Sequence, residues 1–326
     1  MDRDGARAAY LAEIATRYYD QNKTQQEIAD EMGVTRSAVS RLLTEARDRG
    51  IVEIIVHYPW RTAPDLERAL MAMFGLKAAR VLVRGNKSYQ DMLVGLGVLG
   101  AQYFSSILQP QDGVGISWGT GLHALVRALR PVNYPDVEVI QLVGGTGTER
   151  SSVVGPLLAP MLANALGCRC WYLHAPLITA SEAAHDALMQ ERSIRETLER
   201  GEQARIALVG IGTTTPSLYN PYRLGYVTDA ELAEIQAAGG IGLVCGQHYT
   251  VDGAYLEISV NRRVVGLSLT ALHEVENVIG VAGDAQKGEA ILGALLGGYV
   301  NVLVTDDTAA RRVLDLASKR AGMGSR

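Results

Sequence analysis

Residues 25–43, QQEIADEMGVTRSAVSRLL, decide the reading of the first part of this 326-residue chain. Ile28, Met32, Val34, Val39 and Leu42 recur at the spacing of two short helices that share one buried face. Ala29 is small where two steeply crossed helices touch. Gly33 supplies the positive φ that a tight turn between them needs. This is the pattern of a helix-turn-helix, whose second helix enters the major groove of DNA. Thr35, Arg36, Ser37, Ser40 and Arg41 fall on its outer face and are the predicted DNA-contacting residues. The arginines can reach guanine edges or phosphates, and the serines either. Thr35 also has the side chain of a helix N-cap.

The flanks extend this reading. Ala6–Asp20 places Tyr10, Leu11, Ile14 and Tyr18 at helical spacing, and Ile51–Tyr58 is rich in β-branched residues after Gly50. Residues 1–58 are therefore predicted to form a three-helix domain with a β-wing, a winged helix-turn-helix. Its charge is not basic: residues 1–60 hold eight Lys/Arg against ten Asp/Glu. Four of those cations (Arg36, Arg41, Arg47 and Arg49) lie on the recognition helix, so the field favouring DNA is local. Specific binding then calls for two or more such domains held together.

Composition bounds the rest. Hydrophobic residues make up 48% and charged residues 20%, as in ordinary globular proteins. No apolar run is long enough to span a bilayer and no charged-then-apolar leader opens the chain, so a cytoplasmic, bacterial protein with no membrane partner is expected. Cys168, Cys170 and Cys245 build neither a disulfide framework nor a zinc site, and the six histidines lack metal-ligand spacing.

Residues 59–76 read as a linker (Pro59–Pro64) and a helix with the stripe Leu66, Leu70, Met71 and Phe74. That stripe is available to its own domain or to a partner subunit, and is assigned to oligomerisation. From residue 77 to 326, short apolar runs alternate with helical segments, predicting a doubly wound, Rossmann-like α/β domain. Gly240–Cys245 and Tyr255–Ser259 are among its predicted strands, and Glu182–Glu199 among its helices. Such sheets bind ligands at the C-terminal ends of their strands. Those ends carry Ser117-Trp118-Gly119-Thr120-Gly121, Gly144-Gly145-Thr146-Gly147-Thr148, Gly210-Ile211-Gly212-Thr213-Thr214-Thr215 and Gly283-Asp284-Ala285-Gln286-Lys287. Glycines admit close backbone approach, and helix N-termini favour anions. Lys287, in the first turn of a helix, opposes the dipole and calls for an anion beside it. No loop has P-loop spacing or a clean dinucleotide fingerprint, so no ATP or NAD cofactor is expected.

With both halves in view the chain resembles the SorC family of bacterial sugar-responsive transcriptional regulators, the SorC/DeoR-type effector-binding group. The resemblance runs nearly end to end. It rests on TQQEIADEMGVTRSAVSRLLTEARDRGIVEI, VGISWGTG, IALVGIG and VAGDAQKGEAILGALLGGYVNVLVTDDTAARRVL. It implies an effector domain related to sugar-phosphate isomerases and deaminases, a sugar, sugar phosphate or polyol as ligand, and a homotetramer on operator DNA. Gly119, Thr120, Gly145, Thr146, Gly212, Thr213 and Lys287 match the family's ligand-contacting loops, and Asp252 its acidic position before a glycine. Asp284 stands where a second glycine is common. A carboxylate there would repel phosphate, favouring an uncharged sugar or polyol.

The alternative is an isomerase- or deaminase-like enzyme fused to a DNA-binding module. Asp252, Asp284, Asp306 and Glu257 are its candidate acids, and Lys287 its candidate Schiff-base lysine. No paired His–acid motif assigns catalytic roles, so the expected protein is a regulator and not an enzyme. A second domain that only oligomerises is the third possibility.

Overall fold

The computed structural model describes residues 3–52, 60–145 and 157–323. The chain divides into two compact units, residues 1–59 and 60–326.

The first unit contains α1 (Arg3–Tyr19), α2 (Gln25–Met32) and α3 (Arg36–Asp48). Thr24 caps α2 in a capping box: its hydroxyl accepts from the Glu27 amide, while the Glu27 carboxylate accepts from the Thr24 amide. Such a cap contributes about 1 kcal/mol. Gly33 closes α2 at φ 66° and donates its amide to Ala29 O, so the chain can turn into α3. Thr35 caps α3 through the Ala38 amide. Ile14, Ile28, Ala29, Val39 and Leu43 form the buried core. Leu43 takes the inner place expected of Leu42, which packs half-buried at the edge with Met32 and Val34. The β-wing expected over Ile51–Tyr58 lies, from residue 53 onward, outside the described residues.

The second unit begins with α4 (Pro64–Phe74), β1 (Ala78–Leu82), α5 (Tyr89–Ile107), β2 (Gly113–Ile116) and α6 (Thr120–Ala128). It continues through β3 (Glu138–Gln141), α7 (Leu158–Leu166), β4 (Arg169–Trp171), α8 (Glu182–Gln190), α9 (Arg192–Glu202), β5 (Ile206–Gly210) and β6 (Gly212–Thr213). Then follow α10 (Asn220–Arg223), α11 (Asp229–Ala237), β7 (Gly240–Val244), β8 (Gln247–Thr250) and α12 (Leu269–Leu272). The unit ends with β9 (Asn277–Val281), α13 (Gly288–Leu296), β10 (Val302–Asp306) and α14 (Asp307–Met323).

Among the described residues, seven strands pair in parallel in the order β1-β10-β9-β5-β2-β3-β4. Alternate residues feed two cores. Ala207, Val209 and Leu303 face the layer of α4, α13 and α14, whereas Ile206, Leu208, Val302 and Val304 face that of α5, α6 and α7. Burial on both faces explains why these strands read as continuous apolar runs. From β2 the chain winds outward to β3 and β4; from β5 it winds the other way to β9 and β10. The order therefore reverses between β2 and β5.

Three elements depart from expectation. β7 does not join the parallel sheet: it pairs antiparallel with β6 and β8, joined to β8 by the two-residue turn Cys245–Gly246. The expected strand Tyr255–Ser259 is reduced to a single bridge, Tyr249 to Tyr255. The expected helix Glu182–Glu199 breaks at Glu191, whose backbone is extended, which lets Ile194 and Leu198 of α9 turn onto Leu173 and Val265. The stripe of α4 packs on its own unit: Leu70 is buried, and Leu66, Met71 and Phe74 pack against the same core. That face is therefore already covered within the chain, and Met73 is the large apolar residue of α4 left exposed.

Leu243 of β7 joins a small separate core of Tyr219, Val227, Leu232, Ile235, Leu256, Ile258 and Val260, while Val244 and Tyr249 pack into the core of the parallel sheet. A buried polar network pins it. The Tyr219 hydroxyl lies 2.5 Å from His248 Nε2, and His248 Nδ1 lies 2.7 Å from Asn261 Oδ1. Asn261 Nδ2 donates to His248 O and Leu256 O, and Asn261 Oδ1 accepts from the His248 amide. All partners are satisfied when His248 is neutral, donating from Nδ1 and accepting at Nε2. Burial lowers this imidazole from 6.5 to about 4. Between these values the unfolded chain takes up a proton that the folded chain refuses, so stability falls as pH drops from 6.5 toward 4, by about 3 kcal/mol at most. His248→Gln is expected to melt at a lower temperature at pH 7, yet to lose less melting temperature than the parent between pH 7 and pH 4.5. Parallel losses in the two proteins would remove His248 from the acid response.

Candidate functional site

The reversal of strand order lets the loops after β2 and β5 diverge, and a cleft opens where they part. Its empty space, open mouth included, is about 630 Å³. Ser117–Gly121 form one wall and Gly210–Thr213 the other, with Val281 and Lys287 from the β9 end. The two main walls meet closely. A Cβ on Gly210 would lie 2.9 Å from Trp118 O, and the Gly210 amide donates to Ser117 Oγ at 3.3 Å. Only glycine at 210 allows that approach without displacing backbone. Leu218, Asn220, Pro221, Leu243, Cys245 and Gly246 close the remaining side, all from the small antiparallel subdomain and its preceding segment.

Polarity in the cleft favours an anionic or hydroxyl-rich guest. Thr120 opens α6, so free amides of the helix N-terminus face the cleft. Lys287 ends a 3₁₀ turn and sits at the N-cap of α13, an unfavourable end of the dipole for a cation. The residue keeps some exposure, but its ammonium is enclosed and donates to Ile211 O at 3.3 Å. Burial pushes the Lys287 pKa down, and the charge of Asp284 partly opposes this. Cys245 is buried, and desolvation lifts its thiol to about 12, which leaves an apolar wall and not a nucleophile.

Beside the cleft lies a polar cluster. Asp284 holds φ 86°, in the region that favours glycine, and its carboxylate accepts from the Gln286 amide and from Arg84 Nη1 at 2.9 Å. Arg84 and the Gln286 amide hold the Asp284 carboxyl below its ordinary range against the opposing effect of burial. The side chain thus faces a cation, and the repulsion of phosphate expected from the sequence is largely cancelled. Fully buried Asp306 accepts from Thr308 Oγ1 and from the amides of Asp284 and Ala309, with Arg84 Nη1 at 3.8 Å. Tyr89 lies beside Thr120, and burial raises its phenol.

Of the effector residues expected from sequence, Gly119, Thr120, Gly212, Thr213 and Lys287 are brought together in this cleft. Gly145 is not. Its amide and carbonyl pair with Ala175 and Leu177 in a bridge beyond β3, away from the reversal point. Thr146 lies outside the described residues. Asp252 is also not brought in. It occupies the exposed turn after β8, ion-paired with Arg320, and the adjoining Gly253 packs on Gly293 and Gly297 at the far end of α13. Trp118, Asn220 and Cys245, with Arg84 and Tyr89 behind the wall, were not singled out as site residues in the sequence. Trp118 stood inside the Ser117–Gly121 motif, while the others arrive by tertiary folding.

In the first unit, Thr35, Arg36, Ser37, Ser40 and Arg41 are all exposed on α3. The other cations with described side chains are engaged: Arg7 with Glu45, Arg17 with Glu13 and Glu31, Lys23 with Glu31, Arg47 with the Thr44 hydroxyl and Arg49 with Glu45. Among the described residues, Arg36 and Arg41 have no intramolecular partner. Arg36 also borders a groove with Lys23, Thr24, Gln25 and Gln26.

Comparisons with known proteins agree with this geometry. Residues 59–315 match the family described as "Putative sugar-binding domain", and residues 12–49, spanning α2 and α3, match "Sigma-70, region 4". The deoxyribonucleoside regulator of Bacillus subtilis is 31% identical over 315 residues, covering 97% of this chain and 99% of the relative. The sorbitol operon regulator of Klebsiella pneumoniae is 29% identical over 307 residues, covering 93% and 97%. The crystal structure of full-length sorbitol operon regulator SorC from Klebsiella pneumoniae aligns with a TM-score of 0.71 at 28% identity, over 94% of this chain and 99% of that one. A helix-turn-helix unit joined to a doubly wound unit of this sequence family, matched end to end by named regulators, places the chain in the SorC family of sugar-responsive transcriptional regulators.

Proposed function

We propose that α3 reads operator DNA through Thr35, Arg36, Ser37, Ser40 and Arg41, and that the β2/β5 cleft holds a sugar, sugar phosphate or polyol effector that sets operator affinity. The observation that carries the effector site is the convergence of the α6 N-terminus and the Lys287 ammonium on one cleft at the strand-order reversal. With Asp284 turned to Arg84, a phosphorylated sugar fits this lining as well as an uncharged one. For DNA, the support is that, among the described side chains of the first unit, the cations left unpaired are those on the outer face of α3.

The same geometry argues against an enzyme. Among the described residues, the cleft lining holds no Asp, Glu or His that could act as a general base. Asp252 is held by Arg320 elsewhere, Asp306 is sealed in its own hydrogen bonds, and Asp284 is tied to Arg84. We further infer a homo-oligomer, a tetramer by family resemblance. One non-basic reader with two free arginines binds a specific site well only when a second reader is tethered to it. No described helix is long and apolar enough to cross a membrane, and the partner DNA assigns the protein to the bacterial cytoplasm.

Arg41→Ala is expected to weaken operator binding by about tenfold or more while leaving effector binding intact; an unchanged operator affinity in gel-shift titration would remove α3 from the interface. Thermal-shift screening of sugars, polyols and their phosphates should find a ligand that adds about 2.7–4 kcal/mol of apparent stability at large excess over its Kd. Lys287→Ala should abolish that shift and the operator response, with operator affinity itself retained. A normal response in Lys287→Ala would rule out the cleft assigned here.

A further inference from the structure

The effector-binding unit receives the chain at Trp60, and the next residues are strapped onto the outer edge of β1. Ala63 donates to Val81 O at 2.9 Å, Val83 donates to Arg61 O at 2.8 Å, and Thr62 bridges Leu82. Trp60 itself packs near Gly95 and Leu82, with Lys87 Nζ 5.7 Å from its ring. Lys87 belongs to the loop that joins β1 to α5. Arg84 of that loop is fixed at both ends: its amide donates to Asp307 Oδ1 and its guanidinium pairs with Asp284. Tyr89, where the loop enters α5, lies beside Thr120 in the cleft wall. Two residues of the cleft region, Thr120 and Asp284, thus adjoin the same loop that holds the strap.

We infer that the Arg84–Asp284 ion pair ties the charge state of the cleft to the Trp60–Ala63 strap, through which the effector unit is joined to the DNA-reading unit. The inference rests on the cleft assigned above. The Asp284 carboxylate is bonded to Arg84, and Lys287, whose amide donates to Asp284 O in the same 3₁₀ turn, carries its ammonium near enough for its charge to act on that carboxylate. An anionic group seated on Lys287 neutralises that ammonium and repels the carboxylate, so Asp284 commits to Arg84. Loop 83–88 is then held more firmly, and the strap hydrogen bonds open less often. Occupancy is converted into stiffness at the point where the linker enters. Asp284 supplies the charge on which the ammonium acts, which a glycine at this position could not.

A double-mutant cycle read by amide hydrogen exchange of the full chain tests this without a ligand. Lys287→Met mimics a neutralised ammonium, and exchange at Ala63 and Val83 should slow by about two- to thirtyfold, the range of a typical coupling. In an Arg84→Gln background the same substitution should change nothing at these amides. Equal slowing in both backgrounds, or none in either, overturns the inference. If Arg84→Gln fails to melt cooperatively, Asp284→Asn replaces it in the cycle with the same expected loss of effect. The cleft assignment stands or falls separately, on whether inorganic phosphate raises the melting temperature of the parent and not of Lys287→Ala. A phosphate shift that depends on Lys287, together with an additive cycle, would keep the site and discard the coupling.

Discussion

The close meeting of the loops after β2 and β5 is the constraint on which the effector unit depends. Parallel strands that wind in opposite directions from a common centre must leave a gap at their C-terminal ends. Here the gap is kept narrow by backbone contact at Gly210 and by the Ser117 hydroxyl across from it. The narrowness aims the α6 N-terminus and the Lys287 ammonium at one volume. A wider opening would admit water between them and weaken both. The antiparallel subdomain then closes the third side with its own core, anchored by Tyr219, His248 and Asn261 one residue from the lining positions Leu218 and Asn220.

The DNA-reading unit solves a different electrostatic problem. Its acidic residues outnumber its basic ones, which would repel a polyanion if the charges were spread evenly. Pairing leaves that balance unchanged but decides which cations stay available. Glu31 takes Arg17 and Lys23, and Glu45 takes Arg7 and Arg49, leaving Arg36 and Arg41 to project from one helix face. Exposed pairs of this kind add little stability. Their larger effect is to occupy the other described cations of the unit, so that the arginines without an acidic partner are those on the outer face of α3.

Much of this was legible in the sequence, and the reasons differ by element. The helix-turn-helix is local: caps, turn glycine and apolar spacing lie close together in sequence, so pattern and structure agree over α2 and α3 except that Leu43 takes the inner place expected of Leu42. The parallel strands were legible because burial on both faces makes them uniformly apolar. The β7–β8 hairpin was misassigned because Gly240–Val244 has the same apolar run as a parallel strand, and periodicity cannot tell which sheet it joins. Half of the cleft was visible as Gly- and Thr-rich strand ends. The remainder depends on where tertiary folding carries a residue: Asn220 and Cys245 come in with the subdomain, while Asp252 is carried out to the far end of α13. Asp284 was seen as an oddity, but its partner Arg84 was not, because it lies 200 positions earlier.

The strap on β1 has a consequence for how the effector unit can exist by itself. A parallel sheet ends in strands with unused amides and carbonyls, which invite pairing with another chain. At the β4 border the terminal strand is only three residues long and offers little length for such pairing. At the β1 border, the backbone of residues 61–63 occupies the hydrogen-bonding row and acts as a selvedge. A fragment trimmed to begin at α4 would keep every residue of the cleft and still lose that border, exposing an edge along which sheets from separate molecules could join.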